Sequence, residues 1–415
     1  MGDEKLRALL TDLAQDVSAL PAPESMRPAW HSGRRQRRRR LLLGAAAAVV
    51  LVAVPLVLLA PRHEPAVRPV QPTYSDTPLR GRAAHTATLL PDGRVLIIGG
   101  CATDGCSTAD GAPSTEFYVP GHGFTPGPDL RQPRDTHTAT LLADGRVLVV
   151  GGWEREGTSG LDSAEVFDPA TGRFEAAGPL PGIRGGNTPT RLADGRVLVV
   201  SGGTAELFDP DSDTFTPAAA LPSGVAADAA IGLADGRVLV VGATASALYD
   251  PGSDAWQSTG ALTTPRDKFA IVSLPADRVL VLGGEQLVTK QVLRTTEIYD
   301  VASGRFEPGP TMDTERYKFS EAVAVDAIGR VIVGGGTELA ILDGGHFSPV
   351  PGTTGSTRWF PTLTALPNGD VLLVGGYSDR ISLRKDALLV PARCLRGPEL
   401  KDQSQAGPAI REAAC

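Results

Sequence analysis

One short pattern recurs seven times and constrains what this chain can fold into more than any other feature. It reads DGRVLIIGG from Asp92, DGRVLVVGG from Asp144, DGRVLVVSGG from Asp194 and DGRVLVVGA from Asp235. Three looser copies follow: ADRVLVLGG from Ala276, IGRVIVGGG from Ile328 and NGDVLLVGG from Asn368. The valines that align them are Val95, Val147, Val197, Val238, Val279, Val331 and Val371, spaced by 52, 50, 41, 41, 52 and 40 residues. A period of about 40–50 residues is that of a supersecondary unit, which hides its faces only by stacking on copies of itself.

Each copy carries four parts. An apolar segment such as HTATLL (His137–Leu142) leads to a two-residue Asp-Gly turn and then to RVLVVGG. Asp-Gly between apolar runs marks a hairpin, because Gly takes positive φ without penalty. The run Val147–Val150 is apolar at every position, so both faces of that strand are expected to be buried. A third segment ends in Asp-Pro (AEVFDP from Ala164, AELFDP from Ala205, ALYDP from Ala247), and Pro stops the ladder. An aromatic then opens a fourth strand: Phe124, Phe174, Phe215, Trp256, Phe306 or Phe347. With 48 Gly, 34 Pro and 5% aromatics, composition also argues against a helical bundle. Four strands in each of seven units predict an all-β, seven-bladed β-propeller over residues 81–400.

These motifs, an Arg, a hairpin ending Gly-Gly, then Tyr/Phe-Asp and an aromatic, resemble kelch repeats across residues 82–400. The resemblance is nearest to the bacterial seven-bladed type shared with galactose oxidase. It implies a ring of blades about a central axis with binding loops on one face. CLRGPEL, with Cys394 in the aromatic position and Leu400 six residues on, is expected to supply the outer strand of the seventh blade. Residues of about 68–79 are the alternative.

Strand order puts the segments entering strand one and the loops after Gly-Gly on the same face. Those loops are long in copies 1 (Cys101–Thr115), 2 (Trp153–Ser163), 5 (Glu285–Arg294) and 7 (Tyr377–Lys385). Copies 7, 1 and 2 are neighbours round a closed ring, so their loops predict a wall that includes Trp153 and Tyr377. Long loops on a rigid scaffold are where binding residues concentrate. Arg82, Arg134, Arg184, Arg266 and Arg358 stand thirteen residues before their anchor valines; Arg316 fills the place with two extra residues, and the fourth copy has none. Such guanidinium groups would suit an anionic ligand; the other reading is the interblade hydrogen bonding common in kelch repeats.

The galactose oxidase resemblance raises a copper-radical oxidase, whose site needs two His, two Tyr, a consecutive Tyr-His pair and a Cys bonded to Tyr. No Tyr precedes any of the six histidines. His85 and His137 occupy equivalent repeat positions, three after the Arg. The four cysteines suggest two local disulfides, Cys101 with Cys106 and Cys394 with Cys415, although three connectivities are possible. The sequence therefore leads to an expectation of a non-enzymatic module with no cofactor or metal, binding a protein or glycan.

Residues 41–60, LLLGAAAAVVLVAVPLVLLA, are uncharged and, at 1.5 Å per residue, as long as a bilayer core is thick. Six arginines within Arg34–Arg40 precede them, which predicts a cytoplasmic amino terminus, a single transmembrane helix and an extracellular propeller. Leu6, Leu9, Leu10, Leu13, Val17 and Leu20 predict a short amphipathic helix in the cytoplasmic tail (1–40), which could relay to a cytosolic partner. Residues 61–80 read as a stalk and 401–415 as a tail. Residues 1–40 sum to +4 (nine Lys/Arg, five Asp/Glu), so with −7 overall the remainder sums to −11. An acidic body of this kind excludes nucleic acid as the partner. The Arg-rich usage and anchor topology suggest a bacterial source.

Overall fold

The computed structural model describes residues 75–104, 114–154, 160–180, 182, 185–350, 352, 353, 355, 357–396 and 411–412. The cytoplasmic tail, the 41–60 span, most of the stalk, Arg184, Cys106, Leu400 and Cys415 lie outside them. Among the described residues no helix is long and apolar enough to cross a membrane.

Seven four-stranded sheets follow one another along the chain, and in each the strands neighbour in sequence order. Blade 1 is typical: Thr86–Leu89, Val95–Ile98, Thr115–Val119 and Gly123–Pro126. The first strands of successive blades touch, and that of blade 7 (Thr362–Ala365) touches that of blade 1, so the ring is closed. The apolar run of the second strand is buried at every position in all seven blades: Val95–Ile98, Val147–Val150, Val197–Val200, Val238–Val241, Val279–Leu282, Val331–Val333 and Val371–Val374. Alternation explains this. Leu96 and Ile98 pack on Val147 and Val149 of blade 2, whereas Val95 and Ile97 pack on Leu372 and Val374 of blade 7. There is no single core; apolar layers fill each seam between blades.

The aromatic residues of strands three and four stand opposite each other. Tyr118–Phe124, Phe167–Phe174, Phe208–Phe215, Tyr249–Trp256 and Tyr299–Phe306 have ring centroids 5.1, 5.1, 5.0, 4.9 and 4.8 Å apart. Such directly opposed pairs fix strand register.

Two expectations need correction. The Asp-Gly connection is longer than a two-residue turn: Leu90 to Arg94 bridge the strands, closed by Leu90 N–H to the Arg94 carbonyl and Gly93 N–H to the Leu90 carbonyl. Gly93 alone has positive φ (86°) in that turn, and Asp92 accepts from both the Arg94 backbone and its Nε. The same lock recurs at Asp144–Arg146, Asp194–Arg196 and Asp235–Arg237. It accounts for the DGR motif as turn chemistry.

The ring also closes differently. Cys394 lies in a 3-10 turn (Ala392–Arg396), and the outer strand of blade 7 is Arg411–Glu412, parallel to Ala387–Val390. Closure does come from the carboxy-terminal side, but from beyond the segment expected. Ser75, within the alternative segment, pairs with Phe124 on blade 1, not blade 7.

Candidate functional site

The Gly-Gly ending of strand two is a seam device. Gly99 and Gly100 have φ of 56° and 90°, and an added Cβ would stand 2.5 Å from the Arg134 carbonyl oxygen and 2.7 Å from that of Ala83. The second glycine donates to the Arg carbonyl of the next blade: Gly100 to Arg134, Gly284 to Arg316 and Gly376 to Arg82. Only a residue without a side chain lets these backbones approach.

The five described arginines do not form a ligand-binding ring; Arg184 lies outside the described residues. Arg82, Arg134, Arg266, Arg316 and Arg358 are at most 8% exposed. Each turns into its own blade. Arg134 Nη1 donates to the carbonyls of Gly151 and Ser163, and Nη2 to Glu165, at 2.7, 3.1 and 2.9 Å. Arg82 and Arg266 repeat this on Glu116 and Glu297. Arg316 uses Asp313 and Arg358 uses Asp386. Interblade bonding thus belongs to the arginine carbonyl, while the guanidinium fastens strand three within the blade. Its terminal nitrogens are directed at protein, while Nε of Arg82, Arg134 and Arg316 is buried without a hydrogen-bond partner.

The expected loop wall joins blades 7 and 1. Tyr377 is 5% exposed and its hydroxyl donates to the Thr103 carbonyl at 3.2 Å; Leu383 N–H donates to Asp104 at 2.7 Å. Trp153 lies over Gly185 of blade 3, whose added Cβ would be 2.4 Å from the indole. Both aromatic residues therefore brace neighbouring loops. Cys101 and Cys394 are buried and neither is a free thiol.

Chemistry gathers instead at the axis. The residue ten before each anchor valine lines one cavity of about 320 Å³: His85, His137, Asn187, Asp228, Phe269, Glu321 and Pro361. The column splits in two. His85 Nε2 meets Thr362 Oγ1 of the preceding blade at 3.0 Å, His137 Nε2 meets Thr86 Oγ1 at 3.1 Å, and Asn187 accepts from Thr138 Oγ1 at 2.6 Å. These three side chains stitch blades 7, 1, 2 and 3. Burial holds both imidazoles neutral, His137 down to about 3, with the Arg134 charge adding to the effect.

Asp228 and Glu321 sit on the other side, in the two copies that break the repeat. Copy 4 lacks the arginine; copy 6 has two extra residues, which form the turn at Ser320–Glu321. Both residues line the cavity and are open to its solvent. Burial pushes Asp228 up to about 6, opposed by the Ala243 N–H and aided by Asp267, and burial raises Glu321 as well. Sequence reasoning missed both, although the column ten before the valine was available as a signal.

A collar closes over this cavity. Ala84, Thr136, Lys268, Lys318 and Phe360 all have positive φ. Their backbones form a chain across blades: Thr136 N–H to Ala84, Ala84 to Phe360, Phe360 to Lys318 and Lys318 to Lys268 carbonyls. Lys318 lines the cavity and its ammonium lies 5.3, 5.8 and 5.3 Å from the ring centres of Tyr317, Trp359 and Phe360. Burial, then the charge of Lys268, lowers its pKa. Lys268 is itself balanced by Asp267 and Glu285. A half-buried lysine beside aromatic rings, lining the same cavity as two carboxyls of raised pKa, is the arrangement of a site that moves protons or holds a polar ligand.

Comparison with known proteins fits this architecture. Residues 136–181 match the Kelch motif. No curated protein matches the chain. Among solved structures, a fungal alcohol oxidase of the AA5 family in complex with copper is similar at 17% identity, covering 74% of this chain and 73% of that one, with a TM-score of 0.60. At that identity the likeness shows the fold alone, a β-propeller. The expectation of a non-enzyme is corrected to this extent: in that protein the fold carries an alcohol oxidase.

The copper itself does not fit the residues described. His85 and His137 are held in seams by threonines, Tyr377 by Thr103, and Tyr118, Tyr249 and Tyr299 lie inside blades. Among the described residues no three His, Cys, Asp or Glu side chains are grouped to hold a metal. No step can be drawn through copper here.

Proposed function

We propose that the axial mouth is the working site of this propeller and takes a small polyhydroxylated substrate, a carbohydrate or an alcohol. The convergence of Asp228, Glu321 and Lys318 on one lined cavity carries the reading. A carboxyl with a pKa near 6 gives or takes a proton close to neutral pH, and a second carboxyl of raised pKa lining the same cavity supplies the complementary step. Lys318 orients ligand hydroxyls at the rim. The reading includes the anchor: residues 41–60 as a single span and the mouth presented outside the cell. The pairs Cys101–Cys106 and Cys394–Cys415 would suit that oxidising side.

The test is calorimetric titration of the full-length chain with simple sugars and polyols, alongside Asp228→Asn and Glu321→Gln. Binding that rises or falls with an apparent pKa near 6, and loses that dependence in Asp228→Asn, supports the site. Ligand capture unaffected by both substitutions overturns it. Peroxide release from primary alcohols on adding copper would replace proton transfer by metal oxidation.

A further inference from the structure

The collar has a second side. Tyr317 and Lys318 are consecutive, as are Trp359 and Phe360, yet they line two cavities: Lys318 and Phe360 the axial one, Tyr317 and Trp359 a pocket of about 390 Å³ between blades 5, 6 and 7. Two consecutive pairs of residues thus contribute to both cavities. Tyr317 and Trp359 meet edge to face, with centroids 5.7 Å apart at 65°, and both are half-buried. Gln291, Glu315 and Thr357 complete the rim. The carboxylate of Glu315 and the amide of Gln291 are exposed and make no side-chain hydrogen bond or ion pair among the described residues.

We propose that this pocket is a second sugar subsite, so that the substrate is an uncharged oligosaccharide spanning the ridge from the axial mouth. This rests on the function proposed above and extends it. Tilted aromatic rings offer apolar faces to the C–H face of a pyranose. A carboxylate accepts from two adjacent hydroxyls, and an amide both donates and accepts. Arg316 also lines the pocket, but its charge is already paired with Asp313. An anionic sugar would therefore meet Glu315 unfavourably, and a purely apolar ligand would strip water from both polar groups without return.

The experiment uses the full-length chain and two ladders of one to three units, β-linked glucose and β-linked galactose. The dimer is expected to bind roughly tenfold tighter than its monomer, as one added subsite allows. In Glu315→Gln and Gln291→Ala, both on exposed side chains, the gain disappears while monosaccharide affinity stays; thermal melts check that each variant is folded. A dimer no tighter than its monomer, a gain that survives both substitutions, or a monosaccharide affinity that falls with them overturns the subsite. If no member of either ladder binds, the axial reading itself fails first.

Discussion

Blade 2 buries Arg134 against Glu165, whereas the matching places in blade 4 hold Val225 and Ala247, buried together in one apolar cluster. Both partners of the ion pair are absent at once. A lone buried charge costs several kcal/mol, while exchanging the whole pair for apolar groups is near neutral. Blade 4 thus keeps its four strands and its seam without the fastener. The same copy is then free to place Asp228 at the axis, where blade 2 has the seam-bound His137. Regular copies hold the ring; irregular ones furnish its chemistry.

Breaking one half of the blade 2 pair should have the largest effect. Glu165→Ala leaves Arg134 buried beside carbonyls and the Ser163 hydroxyl with no counter-charge, and is expected to cost about 3–5 kcal/mol in chemical denaturation. The double change Arg134→Val with Glu165→Ala recreates blade 4 and should recover most of that loss. A double variant as unstable as the single one would mean that blade 4 tolerates the exchange for some other reason.

His137 sharpens the contrast with blade 3, where Asn187 fills the same column position. Its folded pKa of about 3 lies below the ordinary 6.5, so the unfolded chain binds the extra proton. Stability is therefore complete above about pH 6.5 and declines as the pH falls toward 3, by about 3 kcal/mol at pH 4. His137→Asn should remove this part of the acid sensitivity, read as the difference between melts at pH 7 and pH 4. An unchanged difference would show that the imidazole is not a seam residue.

Exposed charges should matter least. Arg196 pairs with Asp194 in the turn of blade 3, with side chains 36% and 47% exposed. Arg196→Ala is expected to shift stability by less than about 1 kcal/mol. A cost like that of the buried pair would erase the distinction between turn lock and blade fastener.

The seven units, the apolar run of each second strand and the aromatic that opens the fourth were legible in the sequence because each is written in residues a few positions apart. The DGR turn was visible but its length was not, since Arg94 N–H donates to Asp92 within it. The arginines were found, with a ligand-binding and a structural role both left open. Their spacing places them near the rim, but direction depends on Glu116, Glu165 and Glu297, which lie some thirty residues on. Trp153 and Tyr377 were likewise located correctly on the loop face, where they turn out to brace it.

What the sequence determined by itself is the architecture: a repeat whose strands can be hidden only by stacking must close into a ring. What only the tertiary structure decided is where its chemistry lies. Seven residues up to 276 positions apart (His85 to Pro361) meet around one cavity because the first strand of every blade faces the axis. The acidity of Asp228 and Glu321 is set there by enclosure. Enclosure is a property of the closed ring, and no single repeat contains it.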